Sequence, residues 1–114
     1  MSLDELISGL ENMRGDPAIT RLAATLRDWK SDDTTVNDLQ RVIERFIGHS
    51  WIENDALHEQ TYALWSEFKA QAIDHIGGMT MNERLYSFGL FGRFDACESD
   101  ADRLVVYQKL LAAP

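Results

Sequence analysis

Apolar residues recur along this chain at steps of three and four, and nowhere do they alternate with period two over a useful length. The pattern predicts an all-α fold: one small helical bundle of five or six helices within a single domain, 1–114. Ser2 with Glu5 forms a capping box that opens a first helix over about 3–13, with Gly15 near its end. Asp16-Pro17, an N-cap acceptor before a proline at the first helical position, starts a second over 17–30. Its buried stripe is Ile19, Leu22, Ala23, Leu26 and Trp29. After the polar SDDTT connector, Thr35 with Asp38 opens a helix over 36–47, whose stripe is Val36, Leu39, Ile43, Phe46 and Ile47 and which Gly48 stops.

Asn54 or Asp55 caps the longest expected helix, 55–76. Leu57, Leu64, Phe68 and Ala72 fall close together on its wheel, with Trp65, Tyr62, Ile73 and Ile76 widening the apolar face and His75 lying within it. Burying Leu57, Leu64 and Phe68 contributes about 2 kcal/mol each. Thr80 with Glu83 is another capping box, opening a helix over 81–88, and Gly89 follows as a left-handed C-cap that Leu90 packs down. A short helix over 90–96 comes next. Asp100 caps a last one, 101–112, which is apolar almost all round and is expected to be well buried or to pair with a second copy.

The glycines of GGMTMNERLYSFGLFGRF (77–94) punctuate helices. A P-loop needs lysine and then serine or threonine after its second glycine, and a dinucleotide fingerprint needs a preceding strand; neither condition is met.

The formal net charge of −8 is unevenly spread. Residues 31–78 hold nine acids (Asp32, Asp33, Asp38, Glu44, Glu53, Asp55, Glu59, Glu67, Asp74) against Arg41, Arg45 and Lys69, a net of −6. Such a field disfavours nucleic acid and anionic membrane and speeds encounter with a basic protein. The short helices at 81–95 could pass for a helix–turn–helix, but the second offers one arginine and two phenylalanines toward a groove.

Catalytic and metal chemistry find little support. Asp55 and His58 share a face, yet no Glu-x-x-His exists, and His49, His58 and His75 are scattered. Cys97, the lone cysteine, sits among Asp95, Glu98 and Asp100, which disfavours its thiolate. No cofactor, metal or catalytic residue is expected. With no basic, apolar leader and no run of about 20 apolar residues, the cytoplasm is the expected compartment.

The spacing N-E-R-L-Y-x-x-G-L-x-x-x-F-D within residues 80–95 resembles an element of small bacterial all-α proteins, some found in toxin and immunity neighbourhoods. The resemblance implies a bacterial origin and an immunity-like role. Its residues (Asn82, Glu83, Arg84, Leu85, Tyr86, Gly89, Leu90, Phe94, Asp95) read as caps and buried faces, so it transfers no catalytic group.

Protein binding is therefore the expected function: an acidic domain, immunity- or antitoxin-like, that occludes a basic partner. The expected contact residues are Trp51, Glu53, Asp55, Glu59, Glu67 and Asp74, an aromatic anchor among carboxylates. The alternatives are a self-associating regulatory or housekeeping protein, a homodimer through 101–112, and, further off, a small enzyme.

Overall fold

The computed structural model describes residues 1–114 except Arg14, Ser50, Trp51 and Glu53. The described residues are all-helical and contain no strand. Among them seven α-helices, rather than the expected five or six, run in order: α1 Leu3–Asn12, α2 Pro17–Ser31, α3 Val36–His49, α4 Asp55–Phe68, α5 Met81–Ser87, α6 Phe91–Asp95 and α7 Asp100–Lys109. A π-helical turn, Lys69–Ile73, continues α4, and a 3₁₀ turn, Ile76–Gly78, leads to α5.

Local chemistry accounts for the boundaries. The Ser2–Glu5 and Thr80–Glu83 capping boxes both form, each satisfying two backbone N–H groups that a helix start leaves unpaired. Thr35 and Asp38 exchange the same pair of bonds ahead of α3, at 3.4 and 3.0 Å. Asp16 accepts from Ala18 N at 2.8 Å before Pro17, and Asn54 accepts from Leu57 N at 3.0 Å. At the end of α5, Leu90 N reaches Leu85 O at 2.9 Å and Gly89 N reaches Tyr86 O at 3.3 Å. That is a complete Schellman closure, with Gly89 at φ 68° and both Leu85 and Leu90 buried. The positive φ is what requires glycine; a Cβ there would in addition displace the exposed Asp4 carboxylate, whose Oδ1 lies 2.6 Å away.

The core joins α1 to α2 and α4, and α2 to α3. A file of aromatic rings crosses it: Trp29 to Phe88 at 6.1 Å, Phe88 to Phe68 at 5.7 Å edge-on, and Phe68 to Trp65 at 6.3 Å. Such pairs contribute about 1 kcal/mol each beyond the area they bury. Trp29 and Trp65 are core residues, as their place on the stripes predicts.

Several expectations are corrected. Gly48 does not stop α3, which runs through it to His49. The single helix over 55–76 breaks after Phe68. On a continued α-helix Ile73 would stand about 140° from Phe68, at the far edge of the apolar face. The π turn, closed by Asp74 N on Lys69 O at 2.9 Å, brings positions five apart onto one side, and Phe68, Ala72 and Ile73 are all buried. His75 lies beyond that turn and is exposed rather than set in an apolar face. Tyr62 and Tyr86 are 56% and 63% exposed, so neither widens a buried stripe.

The last helix also differs. Ser99, not Asp100, caps it, accepting from Asp102 N at 3.1 Å. It ends at Lys109, with Val106 and Leu110 buried while Leu104 and Leu111 stay exposed. Only one side meets the core. Arg84 donates to the carbonyls of Leu110 and Leu111 and so satisfies that helix end, where Leu111 itself takes φ 56°.

Candidate functional site: two fates for the acidic residues

The nine acids of residues 31–78 divide by what lies beside them. The first group belongs to the connector 32–35 and the start of α3. Two cations distant in sequence close on this connector. Arg93, from α6, donates to Lys30 O at 3.0 Å, to Asp32 O at 2.5 Å and to Asp33 Oδ1 at 2.7 Å. Lys109, from α7, donates all three of its N–H bonds at 2.9 Å: to Asp32 O, Asp32 Oδ1 and Thr34 O. Its ammonium also sits 3.8 Å from the centroid of the Trp29 ring, whose own N–H is held by Thr35 O at 3.0 Å.

Lys109 is fully buried. Desolvation lowers its pKa below the ordinary lysine value, and the Asp32 carboxylate opposes that shift without cancelling it. On Asp32 the balance reverses: desolvation raises the pKa, but hydrogen bonds from Lys109 and Thr34 outweigh it and leave the carboxyl lower than usual. A lysine with a depressed pKa is often a catalytic candidate. Here every donor is spent on the protein itself and no solvent reaches the nitrogen, so the arrangement is a clasp. The sequence did carry a signal for it, since Lys109 falls between Val106 and Leu110 on the inner stripe of α7. Asp38 pairs with Arg41 at 3.2 Å, and the Thr35 backbone N–H, ahead of other causes, holds its pKa low.

The second group lies on α4. Asp55 and Glu59, four apart, share an outward face with Tyr62. Glu67 stands on the flank of the same helix, beside a shallow apolar groove of about 440 Å³ formed with α1, lined by Gly9, Met13, Ala63 and Leu64. Among the described residues no cation lies within ion-pair distance of Asp55, Glu59 or Glu67. Asp74 is different: Lys69 holds it at 3.2 Å across the π turn, in a groove between α3 and α4 that Tyr62 also lines. Trp51 and Glu53 lie outside the described residues. Of the six expected contact residues, the fold thus brings Asp55 and Glu59 together, sets Glu67 on the adjoining flank and neutralises Asp74. Tyr62 joins them unforeseen, because its place on the wheel had assigned it to the core.

His49, His58 and His75 are exposed and far apart along the chain, and among the described residues no three His, Cys, Asp or Glu side chains gather as metal ligands. Cys97 Sγ donates to Arg93 O at 3.3 Å. No helix among the described residues is long and apolar enough to cross a membrane. No family model, curated protein or solved structure matches the chain.

Proposed function

We propose that this chain is a protein-binding domain that docks a basic partner on the outward face of α4 and occludes it, in the manner of an immunity or antitoxin protein. One observation carries the reading: Asp55 and Glu59 stand exposed beside the 56%-exposed Tyr62, with Glu67 exposed on the flank of the same helix, and none of the three has a cationic partner among the described residues. Clustered unpaired carboxylates steer a cationic surface at long range, and an exposed tyrosine is a frequent anchor once contact is made. The mechanism needs no turnover. The bacterial origin and immunity-like role implied by the 80–95 element agree with it.

The test is affinity purification from the source cell with the wild-type chain and with the Asp55→Asn/Glu59→Gln/Glu67→Gln variant. A basic protein should be retained by the wild type, released by salt and lost by the variant. Its association rate with the variant should fall about tenfold at low ionic strength and lose most of its salt dependence. Equal recovery by both chains would end the proposal.

A second reading rests on Leu104, on the outer side of α7, and Leu111, just past its end, both about 40% exposed. They would seat a second copy of the chain. Sedimentation distinguishes the two: a dimer that Leu104→Glu dissociates favours self-association. Val106 and Leu110 cannot serve in that test, because both are part of the core.

A further inference from the structure

A further concavity shares no lining residue with the acidic face of α4. It is an open cleft of about 620 Å³ between the start of α1, the end of α2 and the α5–α6 corner. That volume is within the usual range for a small-molecule site. Three features set it apart from a casual surface depression.

Two aromatic rings line it without being needed by the core: Tyr86 is 63% and Phe91 40% exposed, while their neighbours Leu85, Phe88 and Leu90 are almost wholly buried. Two cations, Lys30 and Arg93, line it, and each is paired with one carboxylate: Asp4 at 2.7 Å and Asp33 at 2.7 Å. Both cations keep donors in hand. Lys30 Nζ gives one bond, to Asp4 Oδ1 at 2.7 Å, out of three; Arg93 gives three, to Lys30 O, Asp32 O and Asp33 Oδ1, out of five.

Gly92 is the third feature. It sits inside α6, where glycine is a poor helix former, and an added Cβ would meet nothing within 4 Å. No steric need or positive φ explains a glycine there, and it borders the cleft. Its missing side chain keeps the backbone bare beside the two rings.

We infer that this cleft binds a small planar anion, an aromatic or heteroaromatic ring carrying a carboxylate or phosphate. The ring lies against Tyr86 and Phe91 over the bare backbone at Gly92, and the anionic group takes the spare N–H donors of Lys30 and Arg93. Aromatic stacking supplies contact area without sequence of its own, and charge-assisted bonds fix the orientation.

The experiment follows backbone amides of the full chain by NMR during titration with adenosine 5′-monophosphate and with indole-3-acetate. Adenosine and inorganic phosphate serve as half-ligands. One of the two anionic rings should saturate shifts confined to Tyr86, Gly89 and Phe91–Arg93, and which one does so distinguishes a nucleotide from an aromatic carboxylate. The half-ligands should bind at least about tenfold more weakly. Tyr86→Ala should weaken binding about tenfold. Gly92→Ala should raise Tm yet weaken binding, a divergence that a purely structural role for this glycine would not produce. The inference is overturned if neither anionic ring saturates by about 10 mM, or if Tyr86→Ala and Gly92→Ala both bind as the wild type does.

Discussion

The connector 32–35 and helix α4 present similar side chains to solvent in sequence, and the fold treats them in opposite ways. Asp32 and Asp33 receive Lys109 and Arg93 from 77 and 60 positions away, while Asp55, Glu59 and Glu67 receive no cation among the described residues. A count of charge along the chain gives both regions the same sign. Only the tertiary placement of two cations separates carboxylates that hold the molecule together from carboxylates whose field reaches outward. The difference teaches that net −6 over residues 31–78 overstates the field available to a partner: Asp32, Asp33, Asp38 and Asp74 all have an ion-pair partner close by.

The sharpest way to break this comparison is at Lys109. Lys109→Ala leaves Asp32 O, Asp32 Oδ1 and Thr34 O without their donor and removes the alkyl stem and ammonium packed on Trp29. Removing one member of a fully buried ion pair costs about 3–5 kcal/mol; Lys109 is buried but Asp32 is 46% exposed, so urea unfolding should show a loss near the lower end, about 3 kcal/mol. A loss below about 1 kcal/mol would mean the clasp is ornamental.

Asp32→Asn tests the same clasp from its other side with a smaller expected effect. The amide keeps an acceptor in place but takes away the charge, for a cost of about 2 kcal/mol at neutral pH. Its pH dependence is more telling than its size. The folded pKa of Asp32 is lowered from 3.8, so its contribution is fully present above that value and is lost as pH falls through the lower folded value. The acid limb of the stability profile should therefore be shallower in Asp32→Asn. It should not vanish, because Asp38 and Glu83 are also held low, each chiefly by a backbone N–H at a helix start. Lys109 adds a slope of the same sign at the alkaline end: its folded pKa lies under 10.5, so the penalty on its charged form is relieved and stability rises as pH climbs through the folded value toward 10.5.

Most of the fold was legible because it is written locally. Caps at Ser2, Asp16, Asn54 and Thr80, the left-handed Gly89 and the three-and-four spacing of leucines act within a few residues of themselves, and each appears where the pattern placed it. Two errors on this helix have different causes. His75 was assigned by extending one helical wheel past Phe68, and the π turn rotates what lies beyond it, whereas Tyr62 stands before the break at the edge of the apolar face and turns outward. Gly48 was read as a stop because glycine is a poor helix former, but α3 runs through it. The clasp was the least legible feature. A lysine on an inner stripe shows that something must receive it, but not that the acceptors lie 75 and 77 residues earlier. For the candidate site, the exposure of Asp55, Glu59 and Glu67 followed from the wheel, whereas the neutralisation of Asp74 required the π turn that brings Lys69 beside it.

The smallest effect gives the comparison its cleanest edge. If the α4 acids are free of structural duty, Glu59→Gln with Glu67→Gln should change unfolding free energy by no more than about 0.5 kcal/mol. Asp55 and Glu59 are like charges four apart on one helix, a spacing that is mildly destabilising, so Glu59→Gln alone should stabilise by a few tenths. Asp55 has an opposing role, because it occupies the first turn where the helix dipole favours an anion, and Asp55→Asn should return a similar amount. The three changes together should leave Tm within about 2 °C of the wild type while removing three negative charges. A fall of several degrees would place these carboxylates in the same category as Asp32, tied into the fold by contacts of their own. In that event α4 would have no surplus charge to offer a basic partner, and the outward face would lose its claim as a docking site.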